Sequence, residues 1–518
     1  MGLVTLCAIA ASVMAVPARR DGMVRTDANG NEKTVFLHGN ESFHYMTDEN
    51  GNWLDEETLM PLSEELKSER LKMKGESKMA KVQRAKAETG TDRLLAPRGA
   101  VILVSYKDQA FTQSNEAMTE WAMGNNYTYN GATGSIHKYF WDQSWGQYDL
   151  QIDVYGPVTV SKPLSYYGSN DTSGDDKHPD ELVKEACQLA HEQCGADFSQ
   201  YDSNNDGYVD WVVILYAGQG EADGGAANTI WPHQYDLSYT GMTFKLDGKT
   251  VDHYCCLNEL DGQTGKRTGI GTFCHEFSHV MGLPDFYATN NSTHHTLVDW
   301  DIMDYGPYLN GGNTPPAYSA YERWFMGWIE PTLLNSAATV TLADINLPGG
   351  RACYMTANGQ SISNILSPNP STFYLLENRQ NSGWDLYLPG SGLMITKVQW
   401  SKTKWEGNTV NNSSYAMGVD IMEATANTSS GYNAYGKATD LYPKGATSFT
   451  KVTNYQVTDI AMSNKIITFN VNGGGEEINL DVEQVASSDS KTQKILRDGQ
   501  VLIVREGKTY DLMGRQIQ

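Results

Sequence analysis

The string HEFSHVMGLPD, from His275 to Asp285, fixes more local geometry than any other stretch of the chain. His275 and His279 are four residues apart, so on a helix both imidazoles leave one face and can share a cation. Glu276 then sits beside that cation, where a carboxylate can take a proton from water. Gly282 suits a left-handed helix end. Pro284 stops the helix from resuming. The chain is turned back, and Asp285 can approach as a third ligand, leaving the fourth position to water. His294, His295 and Glu322 are alternative third ligands, but the Gly282 and Pro284 spacing delivers Asp285. Such a helix needs a rigid support. Two apolar runs, GAVILVSYKD and DWVVILYAG, read as buried strands, and HPDELVKEACQLAHEQC reads as a helix with an acidic first turn.

A second pattern is DSNNDGYVD. Asp202, Asn204, Asp206, the Tyr208 carbonyl and Asp210 supply oxygens at positions 1, 3, 5, 7 and 9, with Gly207 at 6. That matches most of a calcium loop, although Val213 stands where a bidentate Glu is usual. The same residues also suit a plain polar turn. EADGG, Glu221 to Gly225, reads as a flexible loop near the centre or a metal. His233 reads as a packed histidine.

Along the chain, LVTLCAIAASVMAV followed by Arg19 and Arg20 reads as an export signal over residues 1–18, with cleavage near Ala15 or Ala18. Residues 19–97 read as a prosegment whose linker, 64–93, concentrates Lys and Arg and offers itself to proteases. Residues 98–331 read as an α+β unit with a mixed sheet and the metal-binding helix. From 332 to 472, short alternating segments between turns read as an all-β sandwich. Residues 473–518 read as a Gly hinge and a small C-terminal β-hairpin module. The net charge of −23 argues against a nucleic-acid partner, and no later apolar run is long enough to span a membrane. Six cysteines remain after the signal, an even number that permits disulfides without choosing a pairing.

The metal string resembles the metzincin pattern HExxHxxGxx(H/D). The resemblance implies a Met-turn, supplied by Met303 in WDIMDYG, and a tyrosine near the metal, Tyr305, able to stabilise an oxyanion. RGAVILVSYKDQAF, IHKYFWDQSWGQYDL, QGEADGGAANTIWPH and PPAYSAYERWFMGWIEP further resemble the immune inhibitor A-type metallopeptidases. So does FYLLENRQNSGWDLYLPGSGLMI, while FHYMTDENGNWL resembles the bacterial prosegment. Many relatives have Gly where Ser278 stands. The resemblance implies a bacterial, secreted or surface-held zinc endopeptidase made as a zymogen, with protein substrates. Glu276 would be its base, and His275, His279 and Asp285 its zinc ligands. The rival reading is a catalytically silent adhesin, and a second is a zinc hydrolase of other substrates. No cysteine lies between Cys7 and Cys187, so latency needs an oxygen or imidazole cap or steric filling. His44 and Asp48 are the candidate caps. The final hairpin resembles C-terminal sorting or attachment modules of exported Bacteroidetes proteins.

Overall fold

The two apolar runs become neighbouring parallel strands, Arg98–Ser105 and Val212–Gln219, at the centre of a six-stranded sheet. Ala100–Val104 and Ile214–Ala217 are fully buried, as expected of strands covered on both faces. The computed structural model describes residues 14–27, 29–41, 43–56, 58–73, 97–171, 174–348, 351–427 and 435–481, with the strand backbones at 492–497, 500–505, 508–510 and 516–517. Gln151–Thr159 and His253–Leu260 extend the central pair in parallel on either side. His233–Asp236 then joins His253–Leu260 antiparallel. A two-residue strand, Met14–Ala15, adds antiparallel to His233–Asp236 and closes that edge.

The helix Pro179–Cys194 packs behind this sheet. Pro179 opens it, Asp180 and Glu181 complement its positive end, and Gly195 stops it at φ 71°. The overall class is mixed α/β with several sheets and few helices.

Residues 332–481 form two sheets. One contains Thr332–Leu333, Ala352–Met355, Thr372–Arg379, Gly392–Gln399 and Val419–Ile421. The other orders Val457–Ser463, Ile466–Val471, Ala338–Leu342 and Glu476–Leu480. Val340, Leu376, Ile395, Ile467 and Phe469 fill the space they share. Two boundaries differ from the sequence reading. Glu476–Leu480 pairs in parallel with Ala338–Leu342, so the glycines at 473–475 form a turn into a sheet strand and not a hinge. The change of texture at 331 is also no break in the core. Trp324 packs on Tyr354 and Phe373 at 5.0 and 5.8 Å between ring centres. Buried Arg379 donates to Asp385 at 2.7 Å and to the Ala317 carbonyl at 3.1 Å.

The N-terminal unit is an antiparallel meander of Met23–Thr26, Glu32–Asn40, Phe43–Asp48 and Trp53–Leu54. A helix follows at Glu64–Met73, and the rest of the basic linker, 74–96, lies outside the described residues. The C-terminal segment pairs four strands in an antiparallel meander, two more than the expected hairpin. Among the described residues, no disulfide joins Cys187, Cys194, Cys255, Cys256, Cys274 or Cys353, and no helix is long and apolar enough to cross a membrane.

Candidate metal centre and active site

The helix Gly271–Val280 carries His275, Glu276 and His279, all fully buried. Phe273 and Phe277 anchor it against Trp121 and Trp211. Gly282, at φ 101°, reverses the chain, and the Leu283 N–H donates back to the Ser278 carbonyl at 3.0 Å. Asp285 thereby returns to the two imidazoles.

The three ligand atoms converge. His275 Nε2 and His279 Nε2 are 3.1 Å apart, and Asp285 Oδ1 lies 3.1 and 3.3 Å from them. Each imidazole gives its Nδ1 hydrogen to a backbone carbonyl at 2.7 Å, Ile302 for His275 and Leu283 for His279. Both Nε2 atoms are then left as acceptors. Asp285 Oδ1 is buried with no hydrogen-bond donor of its own. Three acceptors this close and this dry repel one another unless a cation sits between them. A tetrahedral zinc with ligands at 2.0–2.1 Å separates them by roughly 3.3 Å, so the residues fit that metal. Burial, with the Asp285 charge beside it, pushes Glu276 well above the ordinary carboxylate range.

Supporting residues come from two places. Met303, the residue expected at a Met-turn, is fully buried, and its carbonyl accepts from the Phe286 N–H at 2.7 Å. Asn408, far downstream, clamps Asp285: its Oδ1 accepts from the Asp285 N–H at 2.7 Å, and its Nδ2 donates to Oδ2 at 2.6 Å. No spacing or motif in the sequence marks Asn408. Its neighbour Asn411 donates to the Phe286 carbonyl at 2.7 Å.

The cleft beside the centre holds the chain's own N-terminal segment. Met14–Ala18, within the stretch that reads as a leader, is buried and hydrogen-bonded throughout. The Val16 N–H donates to Glu276 Oε1 at 2.7 Å, and the Val16 carbonyl accepts from Trp231 Nε1 at 3.0 Å. The Ala15 and Pro17 carbonyls accept from the Tyr287 and Tyr308 hydroxyls, each at 2.7 Å. Arg19 pairs with Asp261, and Arg20 with Asp299, each at 2.5 Å. The N-terminal segment thus behaves as an integral part of the fold from Met14 onward, pairing with the sheet at Met14–Ala15 and bonding through the Val16 N–H and the Ala15, Val16 and Pro17 carbonyls.

The other expected residues fall as follows. Tyr305 carries the Arg20 guanidinium over its ring at 4.0 Å, and its ring centre is 6.4 Å from that of Tyr287. His294 donates through Nε2 to the Asn411 carbonyl at 2.8 Å, His295 faces Asn427 at 3.0 Å, and Glu322 caps its own helix through Ser319. None joins the three ligands. The proposed caps are also elsewhere. Asp48 closes a turn through the N–H groups of Asn50 and Asn52. His44 Nε2 lies 3.0 Å from Glu221 Oε1, so the EADGG loop is where the N-terminal meander docks. Arg25 adds bonds to the Gly224 and Gly225 carbonyls at 2.7 and 2.6 Å. His233 is packed against Trp231 and Tyr254 on the edge strand.

In the DSNNDGYVD loop, Asp202 takes the N–H groups of Asp206 and Gly207 and also the Lys249 ammonium at 2.6 Å. Asp206 accepts from the Tyr208 N–H at 2.8 Å and from Asn204, while Asp210 accepts from Ser203. The oxygens gather as a loop of this pattern should, but an internal ammonium already neutralises Asp202.

Comparison with known proteins places this centre. Residues 105–328 match the family described as immune inhibitor A peptidase M6, catalytic domain. The pre-pro-metalloprotease PrtV of Vibrio cholerae is 29% identical over 226 residues, 38% of this chain and 24% of its own. Immune inhibitor A of Bacillus thuringiensis subsp. alesti is 29% identical over 222 residues, 37% of this chain and 31% of its own. The chain therefore spans about a quarter to a third of the length of these relatives. The converging ligands lie inside the stretch that matches the catalytic domain of the immune inhibitor A peptidase family.

Proposed function

We propose that the chain is an exported zinc-dependent endopeptidase of the metzincin type, held latent by its own N-terminal unit. The observation that carries this reading is a backbone amide resting on Glu276 beside three converging metal ligands. His275, His279 and Asp285 would hold the ion. Zinc, when bound there, polarises a carbonyl and makes water easier to deprotonate at neutral pH. Glu276 takes the proton of the attacking water and passes it to the amine that leaves. Its Oε1 meets a peptide nitrogen. The neighbouring strand His233–Asp236 pairs antiparallel with the extended Met14–Ala15, the way a peptide would bind once that segment is withdrawn.

The same occupancy supports latency by steric filling. A substrate cannot lie on the edge strand while Met14–Ala15 does. In the N-terminal unit, burial and then the Asp285 charge raise the Glu41 carboxyl well above its ordinary range. Asp202, Asn204, Asp206, Tyr208 and Asp210 remain the candidate calcium loop, with Lys249 as the ion's competitor. The C-terminal meander is the candidate attachment or sorting module. Protein substrates follow from a strand that takes extended backbone at its edge, and the intact Glu276 disfavours a silent adhesin. A casein zymogram of trypsin-treated protein, with and without a zinc chelator, tests the reading. Clearing that the chelator abolishes is expected, and no clearing by zinc-loaded, treated protein would overturn it.

A further inference from the structure

One peptide bond of the chain is held at both ends by the centre. The Val16 N–H rests on Glu276 at 2.7 Å, and the carbonyl across the same bond, that of Ala15, accepts from the Tyr287 hydroxyl at 2.7 Å. A group that protonates a leaving amine must reach the nitrogen of the bond being cut. A group that steadies the oxyanion must reach its carbonyl oxygen. Glu276 and Tyr287 occupy those two places on a single peptide.

Building on the endopeptidase reading, we propose that Tyr287 is a catalytic residue, the phenol that donates to the substrate carbonyl oxygen as negative charge develops on it. Water adds to the carbonyl carbon, its proton goes to Glu276, and the carbonyl π pair moves onto the oxygen held by the Tyr287 O–H. The carbonyl then re-forms, the C–N bond breaks with its electron pair on nitrogen, and Glu276 protonates that nitrogen. Tyr287 donates throughout and transfers no proton.

The position is rigid. Tyr287 follows Asp285 by two residues, and the intervening Phe286 is fixed through its N–H to the Met303 carbonyl at 2.7 Å and its carbonyl to Asn411. Tyr287 is 4% exposed and has one oxygen to offer. Tyr305, the tyrosine implied by the family pattern, is covered by Arg20 at 4.0 Å instead. Its contact is with the segment beyond Pro17, through Arg20.

The test compares zinc-loaded, trypsin-treated wild type with Tyr287→Phe and Tyr305→Phe. Tyr287→Phe should lose about 10²–10³-fold in kcat, the usual cost of one oxyanion donor, with KM and zinc content near wild type. Tyr305→Phe should stay within about fivefold. A phosphinic peptide, which mimics the tetrahedral oxygen, should lose affinity for Tyr287→Phe by a similar factor while a plain product peptide does not. In a structure of the wild type with that phosphinic peptide, its oxygen should lie about 2.7–3.1 Å from the Tyr287 hydroxyl, a readout that needs no variant to fold. Full kcat in Tyr287→Phe, or a phosphinic oxygen out of its reach, overturns the assignment. An inactive wild type overturns the endopeptidase reading instead, which keeps the two failures apart.

Discussion

Asn408 and Asp285 exchange two hydrogen bonds, and that exchange decides which carboxylate oxygen faces the imidazoles. Removing it frees the Asp285 side chain to rotate. Asn408→Ala should therefore weaken zinc binding by about 10–100-fold, measured by competition against a chromophoric chelator, with His275 and His279 intact. An unchanged zinc affinity would mean that Asp285 is held by the turn alone. This pair also shows what a sequence conceals. His275, Glu276, His279 and Asp285 were legible because their relation is local: one helix turn, one glycine, one proline. Asn408 lies 123 residues from Asp285, and only the folding of the sandwich onto the metal domain brings it near. Tyr287 was local too, but its role needs the peptide against it to be visible.

At the level of elements, the buried strands and the helix Pro179–Cys194 were readable from apolar runs and end signals. The edge strand His233–Asp236 was not. It is four residues long, and all four are buried although three are polar, so no alternation marks it. Met14–Ala15 was hidden for a different reason: an apolar run near an N-terminus reads equally well as a leader. The DSNNDGYVD loop was readable as a pattern but not as a ligand set, because Lys249 comes from a separate strand. Calcium must displace that ammonium. Wild type should gain thermal stability in millimolar calcium, and Lys249→Ala should gain more, since Asp202 then has no internal cation. Scanning calorimetry checks this, and equal midpoints with and without calcium in both proteins would leave the loop a plain turn.

For the whole molecule, three parts meet at one cleft: the N-terminal unit fills it, the central α/β unit carries the three converging ligands, and the β-sheet unit after it supplies Asn408. Arg19 and Arg20 fasten the filling segment through Asp261 and Asp299. Arg19→Ala with Arg20→Ala should raise the activity of the uncleaved chain by at least about tenfold, because each substitution leaves a pair in the closed form broken. A fluorogenic peptide assay on protein verified as uncleaved measures it, and no rise would show that latency rests on other contacts. The docking of His44 on Glu221 adds a pH dependence. Burial lowers the His44 pKa, but Glu221, Glu56 and Asp176 outweigh it and lift it from 6.5 to about 9. A raised pKa stabilises docking fully below 6.5 and loses that contribution as pH climbs through about 9. Activity of the uncleaved chain, relative to the cleaved form, should thus grow from pH 7 to 9, and His44→Gln should flatten the rise.

The central claim is that Glu276 moves the proton and the three ligands hold the metal, and one variant separates these roles. Glu276→Gln, zinc-loaded and trypsin-treated, should bind about one zinc per chain and hydrolyse casein at least about a thousandfold more slowly than wild type, since the base is lost and the ligands are not. Metal analysis and a rate on the same sample give the answer. Hydrolysis within about tenfold of wild type at full zinc occupancy would contradict the account.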